Sequence, residues 1–114
     1  MDRSAIKRTY KETDRSMGVF GIKNTRNDKV YVGSGTDLPA RLNRHKAELR
    51  FKSHKNRELQ ESWNALGESA FDFEVLDVLN HEEILKTDPA QELRVLQEMW
   101  IRRLEEEGHS VVTL

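Results

Sequence analysis

The 114-residue sequence predicts a single small domain of the α+β class, in which helices pack against a β-sheet. Three segments alternate apolar and polar residues as half-buried β-strands do, and three others carry apolar residues at helical spacing. The chain is long enough to bury a core without disulfides, although 36% hydrophobic residues indicate a modest core.

The chain divides into a basic N-terminal arm, residues 1–16, and a folded domain, residues 17–114. Ser4 is a candidate N-cap for a short helix in the arm. The arm either clamps nucleic acid or packs Ile6 and Tyr10 against the domain, and the second arrangement is commoner for a terminal helix. We assign it no catalytic role.

A β-hairpin is predicted at the start of the domain. The runs Val19–Ile22 and Val30–Val32 are rich in β-branched and aromatic residues, and the polar segment 24–29 between them favours a turn. The loop that follows, residues 33–37, leads the chain into a helix.

This first long helix is predicted to have Thr36 or Asp37 as its N-cap and Pro39 in its first turn. Its buried side is marked by Leu38, Leu42 and Leu49. Arg41 and His45 are four residues apart, so they lie on one face, next to the leucines. Two interpretations stay open: a surface arginine beside a gap-filling histidine, or a pair that faces a ligand.

A second helix is predicted from Arg57 to Leu66, with Gly67 as its terminator. Trp63 lies on its apolar stripe, so it is predicted to belong to the core. His54 lies just before the helix, where a capping residue and a phosphate ligand look alike in sequence.

The third strand is predicted over residues 71–79, where Phe71, Phe73 and Val75 alternate with acidic residues. These three residues are predicted to point inward. With the hairpin, this strand gives three strands in all.

The longest helix is predicted from Pro89 to Glu107, with Asp88 as N-cap and Gly108 as terminator. Its buried stripe consists of Leu93, Leu96, Trp100, Ile101 and Leu104. Gln97 completes this stripe, and a polar side chain on an apolar face is costly unless it finds partners. Gln97 is therefore either a core glutamine bonded to backbone carbonyls or a site residue that points at the sheet.

Composition excludes several classes of protein. The chain has no cysteine, so it has neither a disulfide framework nor a thiolate metal site. It shows no signal-peptide core and no apolar segment near the roughly 20 residues of a membrane span. We therefore expect a soluble cytoplasmic protein.

The net charge of −1 conceals an uneven distribution along the chain. Residues 1–57 hold 15 Lys and Arg against 6 Asp and Glu, whereas residues 58–114 hold 4 against 14. Either the two halves attract each other or form ordinary solvated faces, or the basic half forms a surface that meets phosphates. Charge alone does not decide between these interpretations.

Taken in order, the motifs resemble those of the GIY-YIG nuclease family. The tripeptides Gly18-Val19-Phe20 and Tyr31-Val32-Gly33 stand ten residues apart, Arg41 and His45 follow on the next helix, and His54 and Asn56 precede a tryptophan-containing helix and an FxFEVL strand. The resemblance covers about residues 17–110 and is more specific than either tripeptide alone.

The resemblance implies a small three-stranded antiparallel sheet flanked by helices, an α/β sandwich of the α+β class. It also implies a DNA endonuclease that hydrolyses phosphodiester bonds with one divalent ion, Mg²⁺ or Mn²⁺. DNA is therefore the expected partner.

Residue roles follow from the same resemblance. The family's catalytic positions correspond to Phe20, Tyr31, Arg41 and His45, its substrate-binding positions to Gly33, Ser34, His54 and Asn56, and its metal position to Gln97. Arg41 is expected to stabilise charge on the attacked phosphate, and the histidines to position the phosphate or the base. Phe20 and Tyr31 are expected to share a cleft.

Two positions depart from the family pattern. Phe20 stands where the family has a tyrosine that helps take a proton from water, and Gln97, three residues before Trp100, replaces the metal-binding glutamate. An amide oxygen attracts Mg²⁺ far less than a carboxylate does.

Three hypotheses follow. The chain is a working or weakened endonuclease in which Tyr31 acts as the base and Glu98 or an altered ligand set holds the metal. Alternatively, it is a non-cutting module that binds DNA or a protein partner. The third hypothesis is that Gln97 is an engineered replacement of glutamate that inactivates the protein. The sequence favours nuclease ancestry and leaves present activity open.

Overall fold

A computed structural model describes residues 16–79 and 88–114. The sheet contains β1 (Gly18–Asn24), β2 (Lys29–Gly35), β3 (Phe71–Val78) and β4 (Ser110–Thr113), in the spatial order β3-β1-β2-β4. β1 pairs antiparallel with β2 and β3, and β4 pairs parallel with β2. The predicted arm helix and residues 80–87 lie outside the described residues.

The prediction of three antiparallel strands is therefore wrong, because the described part of the chain already forms a mixed sheet of four strands. Only four residues form β4, which is too short for a reliable alternation signal. Its pairing with β2 joins segments about 80 residues apart, from Lys29↔Ser110 to Val32↔Thr113. The α+β class itself is confirmed.

Within residues 16–79 and 88–114, three helices flank the sheet: α1 (Leu38–Arg50), α2 (Arg57–Leu66) and α3 (Pro89–Glu106). A short 3₁₀ turn, Glu68–Ala70, joins α2 to β3. Each helix begins at a residue whose side chain accepts a hydrogen bond from a first-turn backbone N–H; these caps are Asp37, Asn56 and Asp88. Among the described residues, no helix is long and apolar enough to cross a membrane.

The helices cover both faces of the sheet. On one face, α1 and α2 bury a cluster that includes Phe20, Ile22, Tyr31, Leu49, Leu59 and Trp63. On the other face, α3 packs over Val19, Val30 and Val32 through residues such as Leu104. Alternation along β1 and β2 sends neighbouring side chains to opposite cores.

The edge strand β3 is irregular. Val19 pairs with Asp77 and Phe20 pairs with Val75, so Leu76 is the extra residue of a bulge. Asp77 accepts a 2.8 Å hydrogen bond from the indole N–H of Trp100 on α3. The inward prediction is wrong for Val75, which is 49% exposed.

Ion pairs join the cationic and anionic halves of the chain. Among the described residues, three of the five pairs do so: Lys23–Glu74, Lys29–Glu58 and Arg50–Glu68. Part of the uneven charge therefore serves contacts between the halves.

Candidate functional site

A cavity of about 450 Å³ opens between the hairpin, α1 and the loop before α2. We call it the histidine cavity. Its walls include Phe20, Gly33 and Ser34 from the hairpin, Arg41, Arg44, His45 and Glu48 from α1, and His54, Lys55 and Asn56 from the loop. The structure thus brings together seven of the nine predicted site residues.

The floor of the cavity depends on a close approach between Phe20 and Gly33, which are paired across β1 and β2. A Cβ atom at Gly33 would lie only 2.5 Å from Cζ of Phe20, so the ring occupies the space that a side chain would need. The Phe20 ring also lies 5.2 Å from the ring of His45. Phe20 is apolar, so it shapes the cavity without offering a proton donor or acceptor.

Two histidines form a hydrogen-bonded pair in the cavity. Nδ1 of His45 lies 2.8 Å from Nε2 of His54, and Nδ1 of His54 accepts a 3.0 Å hydrogen bond from the backbone N–H of Asn56. The proton of neutral His54 is therefore on Nε2, which donates to His45. His45 accepts at Nδ1 and carries its own proton on Nε2.

Burial keeps both imidazoles neutral near pH 7. Burial, with a smaller contribution from the neighbouring His54, lowers the pKa of His45 from 6.5 to about 4, although Glu48 acts in the opposite direction. The pKa of His54 is also lowered by burial. The pair therefore offers hydrogen bonds rather than positive charge to a ligand.

Gln60 on α2 fixes the loop that carries His54. Its side-chain oxygen accepts from the backbone N–H of His54 at 2.9 Å, and its amide nitrogen donates to the carbonyl of Leu49 at 3.0 Å and to Asn64. Gln60 is only 8% exposed, so these bonds hold the loop against α1.

Cations surround the histidine pair. The stem of Arg41 packs on Gly35, and its guanidinium donates a long 3.4 Å hydrogen bond to the carbonyl of Ser34. Among the described residues, no carboxylate lies within 4.0 Å of a side-chain nitrogen of Arg41 or Lys55, whereas Arg44 pairs with Glu48 at 3.2 Å. Two cations thus remain available for an anionic ligand such as a phosphate.

Tyr31 does not line the histidine cavity. Its side chain is fully buried, and its hydroxyl donates a 2.8 Å hydrogen bond to Glu58, which also pairs with Lys29. Burial, reinforced by Glu58, raises the pKa of the phenol. Phe20 and Tyr31 share the same core cluster, but only Phe20 reaches the cavity.

Gln97 lies in a separate hollow beneath the sheet edge, which shares Ser34 and Thr113 with the histidine cavity. It is half-buried, and the hollow also contains exposed Glu98 and Arg94. An amide, one exposed carboxylate and a nearby cation are a poor donor set for a hard dication. Position 97 therefore does not fit the metal-holding role.

A different set of side chains in the histidine cavity matches a metal site better. Among the described residues, His45, Glu48 and His54 are the group whose potential ligand atoms all lie within 4.8 Å of one another. The sequence reasoning did not single out Glu48, Arg44, Lys55 or Gln60. The i, i+3 spacing of His45 and Glu48 was a usable signal, because such residues share a helix face.

Comparison with known proteins gives consistent results. The family model described as the GIY-YIG catalytic domain matches residues 16–93. Intron-associated endonuclease 1 of Enterobacteria phage T4 is 40% identical over 68 residues, which are 60% of this chain and 27% of that protein. The chain thus corresponds to about a quarter of that relative.

Two solved structures are similar as well. The catalytic domain of homing endonuclease I-TevI is 30% identical with a TM-score of 0.63, and the match covers 84% of this chain and 97% of that domain. A mutant catalytic domain of intron endonuclease I-TevI is 32% identical with a TM-score of 0.61, covering 83% and 90%.

Proposed function

The chain belongs to the GIY-YIG nuclease family, and from this premise we propose that it is a DNA endonuclease that hydrolyses phosphodiester bonds in the histidine cavity. One observation carries the proposal: Arg41 and Lys55, which form no ion pair with the described residues, flank a neutral histidine pair in an open cavity. This combination suits a phosphate, because charge and directed hydrogen bonds are both present.

Each side chain has a role that follows from its geometry. Arg41 binds the phosphate and stabilises the charge that develops during attack by water. His54 fixes the tautomer of His45, so the Nε2–H of His45 donates to a phosphate oxygen. Phe20 excludes water from the floor of the cavity.

GIY-YIG nucleases depend on a metal ion, and we propose that this chain uses Mg²⁺ or Mn²⁺ when it cuts. Such an ion supplies Lewis acidity and assists the leaving oxygen. Because Gln97 fits the metal-holding role poorly, we expect weak cleavage.

A second candidate function is a module that binds DNA without cutting it. The observation in its favour is that Phe20 and Gln97 both lack the groups that the family uses. Tyr31 offers no replacement for the base, because its hydroxyl is turned to Glu58 outside the cavity.

Plasmid nicking with Mg²⁺ or Mn²⁺ separates the two functions. We expect slow nicking by the unchanged chain, faster nicking by Gln97→Glu, and loss of nicking in Arg41→Ala. Arg26→Ala is the matched control, since Arg26 is an exposed arginine in the turn at the far end of the hairpin. If neither the unchanged chain nor Gln97→Glu cuts DNA, the endonuclease proposal is wrong and the result favours DNA binding without cleavage.

DNA titration tests the phosphate contacts independently of cleavage. Binding should weaken as the salt concentration increases. Arg41→Ala or Lys55→Ala should each reduce the slope of log K against log[salt] by about one, the value of a single phosphate contact. Arg26→Ala should leave the slope unchanged. A DNA affinity that does not change with salt concentration would contradict the proposed phosphate contacts.

A further inference from the structure

We propose that His45, Glu48 and His54 form a binding site for a zinc-class transition metal ion in the histidine cavity. The site differs from the position at which the family holds its metal, which is Gln97 on the opposite side of the sheet edge. It does not depend on the nuclease proposal, because metal binding is measured without DNA.

The three side chains converge from two elements. His45 and Glu48 are three residues apart on α1, and His54 lies on the loop before α2. Their potential ligand atoms all lie within 4.8 Å of one another, and all three residues line an open cavity through which an ion can enter.

The donor set selects the class of ion. Two imidazoles and one carboxylate are a common set for Zn²⁺ with a fourth position left open, whereas Mg²⁺ prefers oxygen ligands. At tetrahedral angles and Zn–N distances of about 2.0–2.1 Å, two ligand nitrogens lie roughly 3.4 Å apart. The two histidine nitrogens are 2.8 Å apart, so the rings must separate by about half an ångström.

Two existing interactions must give way when the ion binds. Glu48 leaves Arg44, with which it forms a largely exposed pair of the kind that contributes little stability. A metal on Nε2 of His54 moves the ring proton to Nδ1, which ends the hydrogen bond from the N–H of Asn56. Both changes give specific experimental signals.

Isothermal titration of the full, untagged chain with ZnCl₂ tests the site, with CoCl₂ as a spectroscopic probe. We expect one Zn²⁺ per chain, the visible absorption of four-coordinate Co²⁺, and no displacement by excess Mg²⁺. Zinc should also move the His54 proton from Nε2 to Nδ1 and shift the Asn56 amide resonance in NMR spectra.

Variants assign the ligands. Glu48→Gln and His45→Asn should weaken zinc binding by more than about tenfold, since even the outer-shell partners of metal ligands are worth about 10- to 100-fold. Arg44→Gln should strengthen it by freeing Glu48. The matched controls are Glu61→Gln, which changes an exposed acid on α2, and a variant in which His81 and His109 are both replaced by Asn.

The outcomes are decisive in either direction. Loss of binding in Glu48→Gln with retention in both controls supports the site. Binding that survives Glu48→Gln and His45→Asn, or that disappears with His81 and His109, overturns it. Should His45→Asn fail to fold by circular dichroism, Glu48→Gln and the NMR shift of His54 in the unchanged chain decide the question.

Discussion

Nε2 of His54 lies 2.8 Å from Nδ1 of His45, at the point where the two elements of the histidine cavity meet. The backbone N–H of Asn56 occupies the other nitrogen of His54. One backbone amide therefore sets the direction of both imidazole hydrogen bonds. The histidine pair therefore offers a ligand one neutral hydrogen-bond donor, the Nε2–H of His45.

The tautomers are the first prediction. In the metal-free protein near pH 7, His45 and His54 should both carry the ring proton on Nε2, because Nδ1 of each ring accepts a hydrogen bond. Long-range ¹H–¹⁵N correlation spectra distinguish the two ring nitrogens directly. A proton on Nδ1 of His54 would contradict the arrangement.

Gln60 gives the second prediction. Gln60→Leu should destabilise the protein by about 1–3 kcal/mol, because it leaves the backbone N–H of His54 without its partner, and the carbonyl of Leu49 keeps only its bond from the N–H of Lys52. Urea unfolding measures the change. Asn64→Ala, which removes only the exposed partner of Gln60, should cost about 1 kcal/mol or less. Equal costs would show that Gln60 does not hold the loop.

Acid sensitivity is the third prediction. The pKa of His45 is about 4 in the folded state and 6.5 when unperturbed, chiefly because of burial. The unfolded state therefore binds more protons between these values, so the free energy of unfolding should fall as pH decreases from about 6.5 towards 4. Urea unfolding at about pH 7 and about pH 5.5 measures this loss, since carboxyl groups remain mostly ionised there. A His45→Gln variant should lose less stability over the same range, and an equal loss would contradict the assignment.

The helix ends were predictable because their signals are local. Asp37 and Asp88 each cap a helix with proline in its first turn, and Gly67 follows the last residue of α2, as expected from residue type alone. The strand β4 was missed because its place is set by pairing with β2, a contact between distant parts of the chain.

In the candidate site, too, local sequence signals place some residues and only tertiary packing places the others. Helical spacing placed Arg41 and His45 on one face of α1, but no local signal places His54 beside His45 or Gln60 beneath the loop. Tyr31 illustrates the limit of motif reasoning, because its hydroxyl is directed by Glu58, which belongs to no motif. Motif membership identified the chemistry of these residues, and tertiary packing determined which of them meet.

Tyr31→Phe is the fourth prediction. It should reduce stability by about 0.5–1.5 kcal/mol through loss of the hydrogen bond to Glu58, and it should leave DNA binding and nicking unchanged. Urea unfolding and plasmid nicking measure the two effects separately. A folded Tyr31→Phe protein that has lost nicking would restore this tyrosine as a catalytic residue.

The contact between Gly33 and Phe20 gives the fifth prediction. A Cβ atom at Gly33 would lie 2.5 Å from Phe20 Cζ, so Gly33→Ala must displace the ring from its place beside His45 and should cost about 1–3 kcal/mol. Gly21→Ala is the matched control on the neighbouring strand, because its Cβ would meet the flexible side chain of Leu76 at 3.3 Å and should be tolerated better. Adding Phe20→Leu removes the ring tip, so the double variant with Gly33→Ala should be more stable than the sum of the single changes predicts. If the stability losses of the two single variants add up to that of the double variant, the position of the Phe20 ring does not depend on the absence of a side chain at Gly33.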